Sequence, residues 1–181
     1  MKERCRRSTS GIVGKFNQVL YIRSLQAKGS WISWDSHFDS IPCFPHGIYG
    51  IFISGGVRIG RDCVIFQQVT IGSNTLIDSR RFGAPVIGDK CYIGAGAKII
   101  GRVRIGNNVR IGANAAVFQD IPDNCVVTLG EMRLSAKPSK LNNRFYHIYN
   151  DKWRYYENGQ WSYEDDPDKV AILDRGFDRR T

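Results

Sequence analysis

A branched aliphatic residue recurs at every sixth position through the middle of this 181-residue chain. These positions, here called rungs, are Ile53, Ile59, Ile65, Ile71, Ile87, Ile93, Ile99, Ile105, Ile111 and Val117. A second apolar residue, usually small, follows four positions after nearly every rung, at Val57, Cys63, Val69, Cys91, Ala97, Val103, Val109, Ala115 and Ile121. Glycine often comes directly after a rung, at Gly60, Gly72, Gly88, Gly94, Gly106 and Gly112.

A period of six fits neither an α-helix, which repeats every 3.6 residues, nor a single strand, which repeats every two. It fits short strands joined by tight corners, with each rung and its second apolar residue pointing inward. Three such units close a triangular coil, and successive coils stack at the strand spacing of about 4.8 Å. We expect the glycine after each rung to turn the corner. The pattern predicts a mainly β protein built on a parallel β-helix.

The ladder divides the chain into three parts. Residues 1–33 are predicted to be an N-terminal helical segment that caps the open end of the β-helix. The apolar positions of this short helix are Val13, Phe16, Val19, Leu20 and Ile22. Residues 34–127 are predicted to form the β-helix, with residues 73–85 as a protruding loop because the rungs are interrupted there.

Residues 128–181 are predicted to be a C-terminal extension with an aromatic hairpin. Aromatic and polar residues alternate on both sides of Asn158-Gly159, which is a strong hairpin signal. We expect the aromatic rings to pack against the domain or a neighbouring subunit. Stacking of these rings on a sugar is the alternative.

Composition limits the class of protein. The five cysteines are odd in number and widely spaced, so we expect neither a disulfide framework nor a zinc knuckle. No run of about 18 apolar residues is present, which excludes a typical membrane-spanning helix. Residues 11–25 are broken by polar residues, unlike a signal peptide, and we expect a cytoplasmic protein. The net charge of +9 favours association with anions but does not indicate which anion binds. We predict no nucleic-acid partner.

The chain has three histidines, His37, His46 and His147. His46 lies between a proline and a glycine in the segment 44–50, just before the regular coils. A histidine in such a corner points outward more readily than into a narrow core. His46 is therefore one candidate for a catalytic residue, and an ordinary corner histidine remains the alternative.

From about residue 41 to residue 127 the chain resembles the left-handed hexapeptide-repeat acyltransferases, most closely their serine acetyltransferase-like branch. The similar segments are 50–53, 64–72, 93–101 and 111–114. The resemblance implies a left-handed parallel β-helix, since ordinary crossovers are right-handed. It also implies a homotrimer and acetyl-CoA as co-substrate, with no metal.

The resemblance implies roles for individual residues. A corner histidine acts as general base in that family, and the acetyl group passes directly to the acceptor; His46 is the matching residue. Asp39 and Asp35 are candidates to orient its other ring nitrogen, although both also fit ordinary turn carboxylates and spacing does not choose between them. The arm of the coenzyme would lie in a groove between two subunits. The residues expected to contact acetyl-CoA are Gly94, Ala95, Gly112, Ala113 and Gln119, although glycine and alanine fit simple corners equally well.

The sequence departs from the serine acetyltransferase pattern at two places. Three residues separate His46 from Gly50, where that branch has two, and Ala84 stands where the branch has a second active-site histidine. Serine needs partners for its ammonium and carboxylate groups, because unpaired buried charges are costly. We therefore expect the acceptor to be a hydroxyl of a sugar or glycan precursor, in capsule, exopolysaccharide or lipopolysaccharide biosynthesis.

Three alternatives remain at this point. The first is serine O-acetylation despite the departures. The second is a non-catalytic β-helix scaffold. The third is a zinc enzyme resembling the γ-carbonic anhydrases, which would need three converging histidines, whereas His37 and His147 lie outside the clear repeats.

Overall fold

The computed structural model describes residues 12–76, 78–130, 134–136 and 142–176. Its main body is a left-handed parallel β-helix with three sheets, one along each side of a triangular prism. The first sheet contains β1 (Trp31–Ile32), β3 (Phe52–Ile53), β6 (Thr70–Gly72), β9 (Lys98–Ile100) and β12 (Ala116–Val117). The second contains β2 (His37–Phe38), β4 (Arg58–Ile59), β7 (Val86–Ile87) and β10 (Arg104–Ile105). The third contains β5 (Val64–Ile65), β8 (Tyr92–Ile93), β11 (Arg110–Ile111), β13 (Cys125–Val127) and the antiparallel β14 (Ser135–Ala136). The predicted fold is confirmed.

The rungs form the core as expected. Ile53, Ile71 and Ile99 pair in register along the first sheet, so that isoleucine stacks on isoleucine from coil to coil. Every rung is at most 2% exposed. Full burial of such a side chain contributes about 1.5–3 kcal/mol. The repeat therefore stabilises the coils from within.

The glycine that follows a rung does not turn the corner, and that expectation is wrong. The corner residue with a left-handed φ of 56–75° comes three positions after an inward-facing branched residue, at Gly56, Asp62, Gln68, Lys90, Gly96, Asn108, Asn114 and Asn124. Gly94 is needed for another reason: a Cβ added there would lie 2.7 Å from the backbone nitrogen of Ala113 in the next coil. The glycine after a rung lets neighbouring coils approach closely.

The first coil is longer than the next one. Trp31 pairs with Phe52, which is 21 positions further on, whereas Phe52 pairs with Thr70, 18 positions further on. Cys43 still bridges to Val64 with the longer spacing. The three additional residues therefore lie between Cys43 and Phe52, in the corner that carries His46. Strand β1 begins at Trp31, three residues before the boundary expected at residue 34.

The segment 73–85 connects β6 to β7 and is tied to the following coils. Its two ends pair through reciprocal backbone hydrogen bonds of 2.9 Å between Asn74 and Gly83. The Arg81 guanidinium lies 2.8 Å from the Asp120 carboxylate. The backbone N–H of Arg104 stabilises the charged form of Asp120 most strongly, and the guanidinium of Arg81 adds to this effect. Together they outweigh burial, which acts in the opposite direction, so the pKa of Asp120 is lowered. The loop thus lies along the corner between the first and second sheets.

Helix α1 (Ile12–Gln26) covers the open end of the β-helix through its last two turns. Tyr21 and Leu25 are buried there, and the Tyr21 hydroxyl donates a 2.8 Å hydrogen bond to the Ile32 carbonyl. Of the apolar positions predicted for this helix, Phe16, Val19 and Leu20 are exposed. The end of the prism is narrow, and one buried residue per turn is enough to cover it.

The predicted C-terminal hairpin is confirmed and belongs to a three-stranded antiparallel sheet. Its strands are β15 (Phe145–Tyr149), β16 (Lys152–Glu157) and β17 (Gln160–Tyr163), followed by helix α2 (Pro167–Gly176). Asn158 and Gly159 both have positive φ, as a two-residue hairpin turn requires. Strand β15 and helix α2 were not predicted. The Asp166 carboxylate caps α2 by accepting the N–H groups of the first turn.

The C-terminal sheet docks on the third side of the prism. The Tyr156 hydroxyl donates to the Ile41 carbonyl at 3.0 Å, and the Gly159 N–H donates to Asp62 at 3.2 Å. Glu157 lies 3.4 Å from the ammonium group of Lys90. Among the residues described, no helix has the length and apolar character needed to cross a membrane.

Candidate active site

His46 lies at the corner between the third and first sheets, where its side chain is exposed. Its Nδ1 atom is 2.8 Å from Oε1 of Gln67, one coil further along the prism. The Phe66 ring meets the imidazole edge-to-face with 5.3 Å between ring centroids. Gln67 and Phe66 therefore hold the imidazole on two sides.

Neither predicted carboxylate pairs with His46. Asp39 lies 2.9 Å from Nε2 of His37 on the second sheet. Asp35 accepts a hydrogen bond from the Ser33 hydroxyl and lies against Gly55 at another corner. The structure therefore keeps both aspartates in the local turns where short polar side chains are common. The group that orients His46 is Gln67.

Gln67 was missed by the sequence analysis, although a signal for it was present. One coil normally takes 18 residues, and the corner of His46 contains three more. Counting 21 positions forward from His46 reaches Gln67. The register of the first coil has to be known before this count can be made.

The predicted coenzyme residues Ala95 and Ala113 lie on the same corner as His46, in the two coils beyond Gln67. Backbone hydrogen bonds link the corner: the Gly96 N–H donates to the Gln67 carbonyl at 3.0 Å, and the Asn114 N–H donates to the Ala95 carbonyl at 2.8 Å. Ala95 is half-buried and Ala113 is exposed. Within the described part of the chain, the N–H groups of both alanines donate no hydrogen bond.

The other three predicted coenzyme residues occupy different settings. Gly94 and Gly112 face the backbone of the next coil, where an added Cβ would lie within 3.0 Å of a backbone atom. Their small size therefore serves the packing of coils, and the outer surface of the corner is formed by Ala95 and Ala113. Gln119 follows β12 at the corner between the first and second sheets, on a different edge from His46.

A corner formed by Ala95 and Ala113 has more room for an extended thioester ligand than a corner with bulky side chains would have. Their methyl groups leave the backbone accessible, and their unused N–H groups can donate to amide carbonyls of such a ligand. Over the described ranges, no cluster of three or more His, Cys, Asp or Glu side chains is arranged to hold a metal ion. The rings of His147 and Trp161 are tilted against each other, with 6.0 Å between their centroids.

Comparisons with known proteins identify the repeat. Residues 84–119 match the family model described as bacterial transferase hexapeptide (six repeats). The chain is 40% identical over 78 residues to serine acetyltransferase of Mycobacterium tuberculosis, which covers 43% of this chain and 33% of the relative. It is 42% identical over 77 residues to serine acetyltransferase of Staphylococcus aureus, covering 42% of this chain and 35% of the relative. The chain thus spans about a third of the length of these two relatives.

Solved structures agree with this likeness. Serine acetyltransferase of Neisseria gonorrhoeae superposes with a TM-score of 0.60 and 26% identity, over 71% of this chain and 47% of that one. Soybean serine acetyltransferase complexed with serine superposes with a TM-score of 0.62 and 25% identity, over 74% of this chain and 54% of that one.

These relatives overturn the expectation of a sugar or glycan acceptor and of a role in polysaccharide biosynthesis, because they are serine acetyltransferases. The two observations behind that expectation have structural explanations. Ala84 packs against the hydrophobic core, so a small residue there serves packing. The aromatic hairpin belongs to a sheet that packs on the prism, with 6.0 Å between the ring centroids of Phe145 in that sheet and Phe66. Residues 84–119 therefore carry the hexapeptide repeat of bacterial transferases, and the coils of this chain are similar in sequence and fold to those of serine acetyltransferases.

Proposed function

We propose that this protein transfers the acetyl group of acetyl-CoA to the hydroxyl of serine, with His46 as general base. The observation that carries the proposal is the contact between Nδ1 of His46 and the amide oxygen of Gln67. The relatives named serine acetyltransferases support serine as the acceptor.

The Gln67 contact selects the tautomer of His46. An amide oxygen only accepts hydrogen bonds, so Nδ1 has to carry the proton in the neutral imidazole. The lone pair is then on Nε2, on the far side of the ring from Gln67. A base with its lone pair directed away from its orienting group is what general-base catalysis requires.

Acetyl-CoA, when bound, supplies an activated acyl carbonyl. Nε2 of His46 removes the serine hydroxyl proton while the serine oxygen forms a bond to the carbonyl carbon and the carbon–sulfur bond breaks. His46 then returns the proton to the departing sulfur, and atoms and charge balance. The products are O-acetylserine and the free thiol.

The corner below His46 is suited to the acyl donor. Ala95 and Ala113 continue in line from Gln67, about one coil or 4.8 Å apart. Their N–H groups would donate to the amides of the pantetheine arm. Gln119 lies on a different edge, so it would approach this groove only from a neighbouring subunit. We therefore include a homotrimer in the proposal.

The test is turnover of purified protein with acetyl-CoA and L-serine. Thiol release would be followed continuously, and mass spectrometry would identify O-acetylserine. Sedimentation of the same sample would measure the subunit number. Release of the thiol with formation of O-acetylserine is the expected result. A stable trimer without any serine-dependent thiol release would favour the non-catalytic scaffold and overturn the proposal.

A further inference from the structure

The C-terminal sheet presents a cationic and aromatic face beside the His46 corner. The strand registers put Phe145 opposite Tyr156, His147 opposite Arg154, and Tyr156 opposite Trp161, so these side chains share one face. Glu157 follows Tyr156 and therefore points to the other face. There the Arg144 guanidinium lies 2.8 Å from its carboxylate.

A cavity of about 360 Å³ lies between this face and the first coil. This volume is within the range of about 300–1,000 Å³ typical of small-molecule sites. The cavity is lined by Pro42, Cys43, Phe44, Pro45, Phe145, His147, Arg154, Tyr156 and Trp161. Pro45 directly precedes His46. Among these lining residues two are basic and none carries a carboxylate.

Arg154 is the unusual member of this lining. Its guanidinium carbon lies 4.3 Å from the ring centroids of both Tyr149 and Trp161. Its Nε atom is buried and has no hydrogen-bond partner. Within the described ranges no carboxylate lies at ion-pair distance from it. By contrast, the nearby Arg144 pairs with Glu157 and Glu164.

An unpaired buried donor on a cation is costly and rare, because its lost hydrogen bonds to water are not replaced. The two aromatic rings hold the planar guanidinium in place, so little entropy remains to be lost when it binds. A planar, bidentate acceptor such as a carboxylate matches this geometry.

We propose that Arg154 binds the carboxylate of the amino-acid acceptor while His46 acts on the hydroxyl of the same molecule. This inference rests on the proposed function and names the group that recognises the acceptor. It supplies a partner for the serine carboxylate in a chain that has Ala84 in place of the second active-site histidine. Cys43 also lines the cavity; burial raises its pKa to about 11, so the thiol stays neutral and does not repel an anion.

The test compares L-serine with L-serinamide, which keeps the hydroxyl and ammonium groups but lacks the carboxylate. Wild-type protein, R154Q and R154K would be assayed for kcat/KM with each acceptor. R58Q is the matched control, because Arg58 is an exposed arginine on the second sheet and its loss changes the net charge equally.

R154Q is expected to lower kcat/KM for L-serine by about 10- to 150-fold, the range for a lost hydrogen bond to a charged group. The kcat/KM for L-serinamide and the KM for acetyl-CoA should stay unchanged in R154Q. The kcat/KM of R154K for L-serine should lie between those of the wild type and R154Q. The ratio of the kcat/KM values for the two acceptors does not depend on the fraction of folded protein. An equal loss with both acceptors, or no loss with serine, would overturn the proposal.

If wild-type protein turns over neither acceptor, the proposed function fails and calorimetric titration still tests the site. Binding of L-serine but not of L-serinamide, lost in R154Q and kept in R58Q, would support a carboxylate site. Absence of L-serine binding to wild-type protein would overturn it.

Discussion

Gln67 is the orienting group of His46, and its replacement gives two distinct kinetic results. The change Gln67→Ala removes a neutral hydrogen bond of 2.8 Å beside an exposed imidazole. Such a bond contributes about 0.5–1.5 kcal/mol, which corresponds to a decrease in kcat of about 2- to 13-fold. This loss is much smaller than the decrease of about 10²–10⁴-fold expected for loss of a general base.

The change Gln67→Glu keeps the position of the acceptor atom and adds a negative charge. At about 4 Å in a well-solvated setting, two unit charges interact by about 1 kcal/mol, which is just under one pH unit. The carboxylate favours the protonated imidazole, so the base stays protonated to higher pH. The acid limb of the profile of kcat/KM against pH is expected to move up by about one unit.

The assay is thiol release from acetyl-CoA with L-serine from about pH 5 to about pH 9, which spans the region of roughly pH 5–8 in which an unperturbed imidazole changes charge. Gln68→Asn is the control, because Gln68 is an exposed neighbour with a left-handed φ that asparagine tolerates. An unmoved acid limb in Gln67→Glu, together with full activity in Gln67→Ala, would refute the orienting role of Gln67.

Three further predictions concern stability and reactivity. Gly88→Ala should destabilise the protein by about 1–3 kcal/mol in chemical unfolding, because the added Cβ would lie 2.8 Å from the backbone of the next coil; unchanged stability would contradict the packing role. Burial raises the pKa of Cys43 to about 11, so iodoacetamide should leave Cys43 unlabelled in folded protein at neutral pH, as peptide mapping would measure. Burial alone raises the pKa of Glu157, but the hydrogen bond and charge of Arg144 outweigh it and the net pKa is lowered from 4.5. The stability from this pair is therefore present above about pH 4.5 and lost as pH falls further, so hydrogen exchange in residues 145–163 should rise there in wild-type protein and lose this pH dependence in Glu157→Gln.

The coils were predictable because the feature that produces them, a buried branched residue at a fixed spacing, lies within each repeat. Each rung is a branched side chain that has to be buried, and its spacing alone determines where the next strand lies. The role of Gly94 was not predictable, because the atom that excludes a side chain there belongs to Ala113 in the next coil. A repeat of six residues contains both the close-packed position and the left-handed corner position, and the sequence pattern does not separate them.

The candidate site was predictable in part. The exposed corner position of His46 followed from the sequence, whereas its contact with Gln67 depended on the coil register. Asp35 and Asp39 are near His46 in the sequence but lie in turns of other corners. The place of Arg154 was not predictable from the repeats, because Arg154 belongs to the C-terminal sheet and lines the cavity only through docking of that sheet.

The most direct measurement is the turnover of His46→Asn with acetyl-CoA and L-serine. Asparagine keeps a polar side chain in an exposed corner, so circular dichroism and thermal unfolding should match those of wild-type protein. We expect kcat to fall by about 10²–10⁴-fold, with the KM values for both substrates little changed. Wild-type turnover by the folded His46→Asn protein would contradict the assignment of His46 as the base.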